Sequence, residues 1–193
     1  MMTYELDTAL NKIDRGLGQL GRQFLLSSMG PGLGKEEVAR KLSSVRLPST
    51  PAFEAVYGWH DGTVTDEGTL VDDIQMFPGF YQLTLEEATV NYRTFLPDSR
   101  WSQGWLPIFA NGGGDFCVID LSLSGVGVIR HFRIDEVYHP VEFLSLTDMM
   151  CTIAAGFEEE LFYVDNRGYL EMDDDRFYDL AEAMNPNVDY WRA

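Results

Sequence analysis

The chain has 193 residues, is 45% hydrophobic, and carries 14 basic against 31 acidic residues for a formal net charge of −17. This length and apolar fraction suffice for one well-filled core, and so acidic a chain repels phosphate backbones, which argues against direct binding to nucleic acid. The charge is uneven: residues 1–46 have a net charge of +2, which leaves −19 for residues 47–193.

Two features of the sequence bear on the compartment. The first residues, Met-Met-Thr-Tyr-Glu-Leu-Asp, lack the basic and apolar regions of a secretory signal, and no stretch approaches about eighteen unbroken apolar residues. The two cysteines, Cys117 and Cys151, lie in apolar runs that favour buried thiols over a disulfide. We therefore expect a cytoplasmic protein that does not associate with membranes.

The clearest helical pattern lies at the start of the chain. Six apolar residues spaced 4, 3, 4, 3 and 4 apart share one side of a helix predicted from Thr3 to Ser27, namely Leu6, Leu10, Ile13, Leu17, Leu20 and Phe24. Glycines within it weaken a free helix by about 1 kcal/mol each, so the helix must pack on something. Either it docks on its own domain, or it pairs with a second copy in a homodimer. We predict an N-terminal helical extension, residues 1–33, before one domain, residues 34–193.

Helical signals follow the extension. The glycine-rich run from Met29 to Gly34 breaks the chain, and a weaker helix is predicted from Lys35 to Val45. A third helix is predicted to begin at Pro51, with Ser49 or Thr50 as its cap, because proline suits the first helical turn.

The middle of the chain combines strand and helix signals. Leu70 to Phe77 alternates loosely between apolar and polar residues, which predicts a strand. The sequence Thr84-Leu-Glu-Glu87 forms a capping box that predicts the start of a helix ending near Pro97.

A hairpin predicted from Trp105 to Leu121 is the centre of the sequence. Its two apolar runs are joined by Asn111-Gly-Gly-Gly-Asp115, whose glycines supply the positive φ angles of a tight turn. The same glycines would also leave the backbone open to close approach, so a glycine-lined groove fits equally well. The next strand is predicted from Gly125 to Ile134.

The last third of the chain predicts helices around a small hairpin. Ser145 caps the strongest interior helix, and two short apolar runs flank the turn Asp165-Asn-Arg-Gly168. Asp173-Asp-Asp175 opens a final helix, which Asn185-Pro186 ends. This irregular order of elements predicts an α+β fold: a largely antiparallel sheet of about five to six strands with helices packed against it.

Two stretches of this sequence together form a pattern seen in a known family. One comprises Leu106, Pro107, Ile108, Gly112, Gly113, Gly114, Asp115, Asp120 and Leu121, and the other comprises Leu47, Pro48, Phe53, Val56, Tyr57, His60, Asp61 and Gly62. Over about residues 34 to 184, the chain resembles the SUKH superfamily of Smi/Knr-like domains. The resemblance implies a mainly antiparallel sheet with flanking helices, no known catalytic centre, and a role through protein–protein contact. Bacterial proteins of this kind are commonly immunity proteins that neutralise a cognate toxin domain, often a nuclease.

Residues that could carry chemistry mostly have structural explanations. Asp115 is expected to accept hydrogen bonds from turn amides, and Asp120 to cap a strand end. The carboxylates of Glu171 and of residues 173–175 could hold a hard cation, but they lack the spacing of a calcium loop and suit a helix start. The three histidines, His60, His131 and His139, fit no zinc pattern. We predict no catalytic residue, no metal site and no cofactor, although a cysteine nucleophile paired with a distant histidine stays open.

The stretch from Glu158 to Asp189 is the best candidate for a binding surface, because it holds eleven acidic residues against two arginines, with aromatic residues between them. Aromatic anchors among carboxylates suit a basic protein surface, although the same residues would also give a soluble domain with a filled core. The candidate partner-binding residues are Trp59, Asp61, Trp101, Trp105, Glu158, Glu159, Asp165, Glu171, Asp173, Asp174, Asp175 and Tyr178.

Three hypotheses for the function follow. The first is an immunity protein that binds a basic, nuclease-type toxin domain, because a nuclease surface must attract a polyanion. The second is a regulatory scaffold, like fungal relatives of the family, that uses a groove beside Gly112 to Gly114 and exposed tryptophans. The third is an uncharacterised metal-dependent enzyme.

Overall fold

The computed structural model describes residues 2–64, 66–122 and 127–192. The α-helices in these ranges are α1 (Met2–Gln19), α2 (Gln23–Ser28), α3 (Lys35–Ser43), α4 (Pro51–Trp59), α5 (Val71–Ile74), α6 (Leu85–Phe95), α7 (Leu146–Glu158) and α8 (Asp174–Met184). The strands are β1 (Met29–Pro31), β2 (His60–Thr63), β3 (Tyr81–Gln82), β4 (Trp105–Ala110), β5 (Phe116–Asp120), β6 (Ile129–Phe132), β7 (Val141–Phe143), β8 (Phe162–Val164) and β9 (Leu170–Met172). A 3-10 helix at Asp189–Arg192 follows α8.

The central sheet has five strands in the order β3-β4-β5-β6-β7, and every neighbouring pair is antiparallel. The predicted hairpin forms its middle, with Trp105 opposite Asp120 and Ala110 opposite Phe116. Strands β1 and β2 form one separate antiparallel pair, and β8 and β9 form another. This arrangement confirms the α+β class and the antiparallel sheet.

Helices cover both faces of the sheet. On one face, the ring of Phe95 in α6 lies 5.1 Å from that of Phe116 and 5.5 Å from that of Phe132, measured between centroids. On the other face, Cys117 of β5 and Met149 of α7 line the same cavity. Because successive side chains of a strand point to opposite faces, Phe116 and Cys117 serve different layers of the core.

The N-terminal helix differs from its predicted form. The chain turns after α1 at Gly21, where φ is +74°, and a short separate helix, α2, follows. Leu6, Leu10, Ile13 and Leu17 are at most 3% exposed, whereas Phe24, which was predicted to lie on the same face, is 54% exposed. The single helix from Thr3 to Ser27 is therefore wrong in its second part, because the turn at Gly21 redirects the chain.

Helix α1 packs closely on α7 within the same chain. A Cβ added to Gly16 would lie 2.5 Å from the Phe157 ring, so the glycine permits this close approach. Lys12 and Glu158 join the two helices at 2.8 Å. The apolar face that a coiled coil would use is thus covered by α7, and its residues belong to the core that also contains the sheet.

Helix caps follow the sequence closely. The Thr50 hydroxyl accepts a hydrogen bond from the Phe53 amide, and Thr84 and Glu87 form the capping box at the start of α6. Ser145 and Asp173 cap α7 and α8. A cap depends on residues within one turn of each other, so the sequence shows it directly.

Two predicted strands need correction. The segment Leu70 to Phe77 is no strand: it contains the helical turn α5, whose backbone carbonyl at Asp72 accepts a hydrogen bond from Arg22. Its loose alternation did not distinguish a strand from this turn, which leaves Leu70 63% exposed. The strand predicted from Gly125 to Ile134 is shorter, since β6 ends at Phe132; residues 123–126 lie outside the described ranges.

Candidate functional site

The glycine turn between β4 and β5 is stabilised by Asn111. Its Oδ1 accepts hydrogen bonds from the amides of Gly113, at 2.7 Å, and Asp115, at 3.0 Å. Asp115 instead accepts from the amide of Ile134 at 2.9 Å and from the Asn111 side chain. The prediction that Asp115 satisfies the turn amides is therefore wrong: its carboxylate ties the turn to the segment after β6.

The glycines of this turn are packed by the chain itself. A Cβ at Gly112 would lie 3.0 Å from Val71, and one at Gly114 would lie 2.8 Å from Ile134. Both glycines have positive φ angles, of +78° and +105°. The turn interpretation is favoured over an open groove, because side chains of this protein already approach these two backbone positions.

Asp120 has a structural role at the end of β5. Its Oδ1 accepts hydrogen bonds from the Ser122 amide at 3.0 Å and the Ser122 hydroxyl at 2.6 Å. Its Oδ2 accepts from Trp105 Nε1 at 3.1 Å. This confirms the predicted strand-end cap.

Four candidate partner-binding residues have interactions inside the chain. Trp101 is only 7% exposed and donates to the Trp105 carbonyl, so its prediction as an exposed anchor is wrong. Trp59 and Trp105 are partly buried, and Trp59 Nε1 donates to Asp14 at 2.8 Å. Asp61 accepts from the Leu85 amide at 2.7 Å at the start of α6. The sequence does not reveal these contacts, because the residues involved are brought together by the fold.

The remaining candidates lie in the C-terminal part of the chain, on a set of exposed carboxylates that we call the acidic surface. It comprises Glu158, Glu159, Glu160, Glu171, Asp174, Asp175, Asp179 and Glu182, at the end of α7, on β9 and on α8. Glu158 pairs with Lys12 at 2.8 Å. The other seven form no ion pair within the described residues.

The arginines near this surface are paired with other carboxylates. Arg167 lies 3.0 Å from Asp165, Arg176 lies 4.0 Å from Asp173, and Arg192 lies 3.7 Å from Asp189. Asp165 and Asp173 also have backbone roles, in the β8–β9 turn and at the cap of α8. Hydrogen bonds from the Tyr169 amide and from Arg167 hold the pKa of Asp165 below its usual range. The carboxylates of the acidic surface therefore outnumber the guanidinium groups near them.

The aromatic residues of this region divide between core and surface. Phe162 is 3% exposed and contacts Phe157 and Phe177, as expected of core residues. Tyr163 and Tyr169, on the β8–β9 hairpin, are 48% and 38% exposed. Two rings thus accompany the acidic surface, and the remaining rings fill the core or line a cavity.

The cavity, of about 290 Å³, lies between the sheet and the C-terminal elements. Its wall contains a hydrogen bond between His131 Nδ1 and Glu142 Oε1 at 3.0 Å, with the Phe80 ring edge-on to His131. Arg133 donates to the Tyr190 hydroxyl at 3.3 Å. The sequence does not reveal this cavity, because its residues come from distant parts of the chain.

The cysteine and histidine needed for a nucleophile do meet in this cavity, as Cys117 and His131 both line it. Burial, together with the charge of Glu142, raises the pKa of Cys117 well above its ordinary value. Such surroundings keep the thiol protonated, whereas an activated nucleophile needs a lowered pKa. His131 is moreover bonded to Glu142.

His139 gives the folded state a pH-dependent stability. It is 5% exposed, its Nδ1 accepts a hydrogen bond from the Arg133 amide, and its ring lies 4.4 Å from that of Phe132. Burial and then the charge of Arg100 lower the pKa of His139, against the opposing charge of Asp98. Protonation of Nδ1 would also break the bond from Arg133.

A lowered histidine pKa means that protons bind the unfolded state more tightly. The stability from neutral His139 should be fully present above the ordinary histidine pKa of about 6.5 and should fall as pH drops below it. We expect the free-energy difference between wild type and His139→Asn, from urea unfolding, to shrink between pH 7.5 and pH 5. A difference that is constant with pH would contradict this assignment.

Neither metal ligation nor membrane spanning within the described ranges, nor a known relative, accounts for this chain. No group of three or more His, Cys, Asp and Glu side chains among the described residues is arranged to hold a metal ion. In the same residues, no helix has both the length and the apolar character needed to cross a bilayer. Neither the models of protein families nor the curated proteins contain a match to this chain.

Proposed function

We propose that this protein acts by binding another protein, without catalysis, and that its partner is a basic domain of the nuclease-toxin type. The observation that carries the proposal is the acidic surface on α7, β9 and α8. Seven of its carboxylates form no ion pair within the described residues, while the nearby arginines are paired elsewhere. Uncompensated charge of one sign accelerates encounters with a partner of the other sign.

The partner chemistry follows from the same surface. A nuclease must attract a polyanion, so its binding face is basic and complementary to this set of carboxylates. Tyr163 and Tyr169 add exposed rings, and tyrosine is a residue type that commonly anchors protein interfaces. The resemblance to SUKH immunity proteins points to the same class of partner. Under this proposal the protein works in the cytoplasm, where its two free thiols, Cys117 and Cys151, would stay reduced.

The regulatory-scaffold alternative has less support. It required exposed tryptophans and an open groove beside the glycine turn. Trp101 is buried, and Val71 and Ile134 pack against Gly112 and Gly114. These observations favour a surface on the C-terminal elements.

The test is association with a basic, nuclease-type domain, for which the product of a neighbouring gene is the first choice. Changing Glu171→Gln, Asp174→Asn, Asp175→Asn and Asp179→Asn together should slow association at low salt by about tenfold or more, because steering of this kind contributes factors of about 10 to 1000. Stopped-flow fluorescence across a salt series measures the rate. Association with the wild type should slow steeply as salt rises.

The matched control removes the same number of charges from exposed positions elsewhere. Glu36→Gln, Asp66→Asn, Glu67→Gln and Asp135→Asn together should change the rate by about twofold or less, since salt screens distant charges. Equal slowing by both variants would show that net charge, and not this surface, governs binding. A rate independent of salt would refute the proposal.

A further inference from the structure

The cavity described above is built from most layers of the fold. Its floor is the sheet face carrying Cys117, His131 and Phe143, and its sides come from α7, the β8–β9 hairpin, α8 and the C-terminal 3-10 helix. Phe77, Pro78 and Phe80 complete the wall from the segment before β3. A pocket fixed by so many packed elements is preformed, as binding sites usually are.

Aromatic rings make up about half of the cavity wall. They include those of Phe143, Phe162, Phe177, Tyr178, Tyr190 and Trp191. They hold one another in place: the ring of Trp191 lies 5.6 Å from Phe143, 5.7 Å from Tyr178 and 4.8 Å from Tyr190. The faces of aromatic rings are electron-rich and attract cations.

The charged groups of the cavity favour a cation as well. Two carboxylates line it: Glu142, which is 8% exposed, and Asp174, an exposed member of the acidic surface. The lining guanidinium, Arg133, is bonded to Glu136 at 3.1 Å and to the Tyr190 hydroxyl. An anion would meet Glu142 and Asp174. A cation would share the Glu142 carboxylate with His131, which is bonded to it at 3.0 Å, and would add Asp174 among ring faces.

We propose that this cavity receives an arginine side chain from the protein partner, an inference that rests on the proposed function and names the group recognised there. A volume of about 290 Å³ suits one side chain. The planar guanidinium both stacks on aromatic rings and donates several hydrogen bonds, which the point charge of a lysine does less well. Asp174 connects the cavity to the acidic surface, so the surface attracts the basic partner and the cavity fixes one residue of it.

A small probe tests the cavity without the partner. N-acetyl-arginine-N-methylamide is titrated into the 15N-labelled protein while the indole resonance of Trp191, which is 7% exposed, is followed. We expect a saturable shift with arginine, and none with the isosteric neutral citrulline derivative. The lysine derivative should bind more weakly than arginine.

Variants locate the binding. Glu142→Gln should weaken arginine binding by about tenfold, because a hydrogen bond to a charged group is lost. Since Glu142 is buried beside His131, Asp174→Asn provides a second variant at an exposed position, which should also weaken binding. Glu182→Gln, elsewhere on the acidic surface, is the control and should leave binding unchanged.

Each outcome decides for or against the cavity. No saturable shift, equal binding of citrulline, or equal weakening by Glu182→Gln would overturn the inference. Saturable arginine binding together with a basic partner that fails to associate would keep the cavity and refute the proposed function. A partner that associates normally with the Glu142→Gln and Asp174→Asn proteins would refute the role of the cavity and keep the proposed function.

Discussion

Gly62→Ala is expected to destabilise the protein by about 2–5 kcal/mol, the sum of a left-handed backbone penalty and an overpacked contact. At Gly62 the φ angle is +65°, and an added Cβ would lie 2.2 Å from the amide nitrogen of Thr84. That backbone cannot easily retreat, because the Tyr57 hydroxyl donates to the Leu83 carbonyl and Asp61 accepts from the Leu85 amide. Urea unfolding followed by circular dichroism measures the loss.

Substitutions at two other glycines separate the backbone penalty from the overpacked contact. Gly68 has a φ of +94° and nothing within 4 Å of an added Cβ, so Gly68→Ala should cost only the backbone penalty of about 1–2 kcal/mol. Gly34 has open space and no positive φ, and Gly34→Ala should change stability by less than about 0.5 kcal/mol. If Gly62→Ala cost no more than Gly68→Ala, the result would contradict the close approach of β2 to the start of α6.

Leu17→Ala is the second large expected effect, with a loss of about 2–5 kcal/mol in unfolding free energy. Leu17 is 0% exposed, on the face of α1 that packs in the core. Removing its side chain leaves a cavity that the surrounding structure fills only partly. The measurement is again urea unfolding, with the midpoint and slope reported for each variant.

Phe24→Ala is the matched control on the same sequence pattern. Phe24 follows the spacing of the other apolar residues but is 54% exposed after the turn at Gly21. Its truncation should change stability by less than about 0.5 kcal/mol. Comparable losses at Leu17 and Phe24 would mean that one continuous helix reaches Ser27, against the described structure.

Some local structures follow from sequence patterns alone, and others do not. The caps at Thr50, Thr84 and Ser145 were predictable because each rests on contacts within one helical turn. The turn at Gly21 was not, because a glycine inside a helical pattern is compatible with both a continuous helix and a break. The helical turn at Val71–Ile74 depends on Arg22, about fifty residues away, which no local pattern reveals.

The candidate site also has one part that the sequence predicts, the acidic surface, and one that it does not, the cavity. The acidic surface was predictable, because most of its carboxylates lie close together in the sequence and charged side chains rarely stay buried. The cavity was not, because His131, Glu142 and Trp191 meet only after the sheet and the C-terminal helix have assembled. Cys117 and His131 lie opposite each other because of the register between β5 and β6, which alternation within each strand does not reveal.

The closeness of α1 to α7 has a consequence for synthesis on the ribosome. Lys12 and Glu158 are joined across 146 positions of sequence. The apolar face of α1 therefore leaves the ribosome long before α7, the helix that covers it. Until α7 is translated, nascent chains expose this apolar face, and in prematurely terminated products it would stay exposed. Such fragments should be aggregation-prone and depend on chaperones, whereas the completed polypeptide buries the apolar face of α1 in its own core.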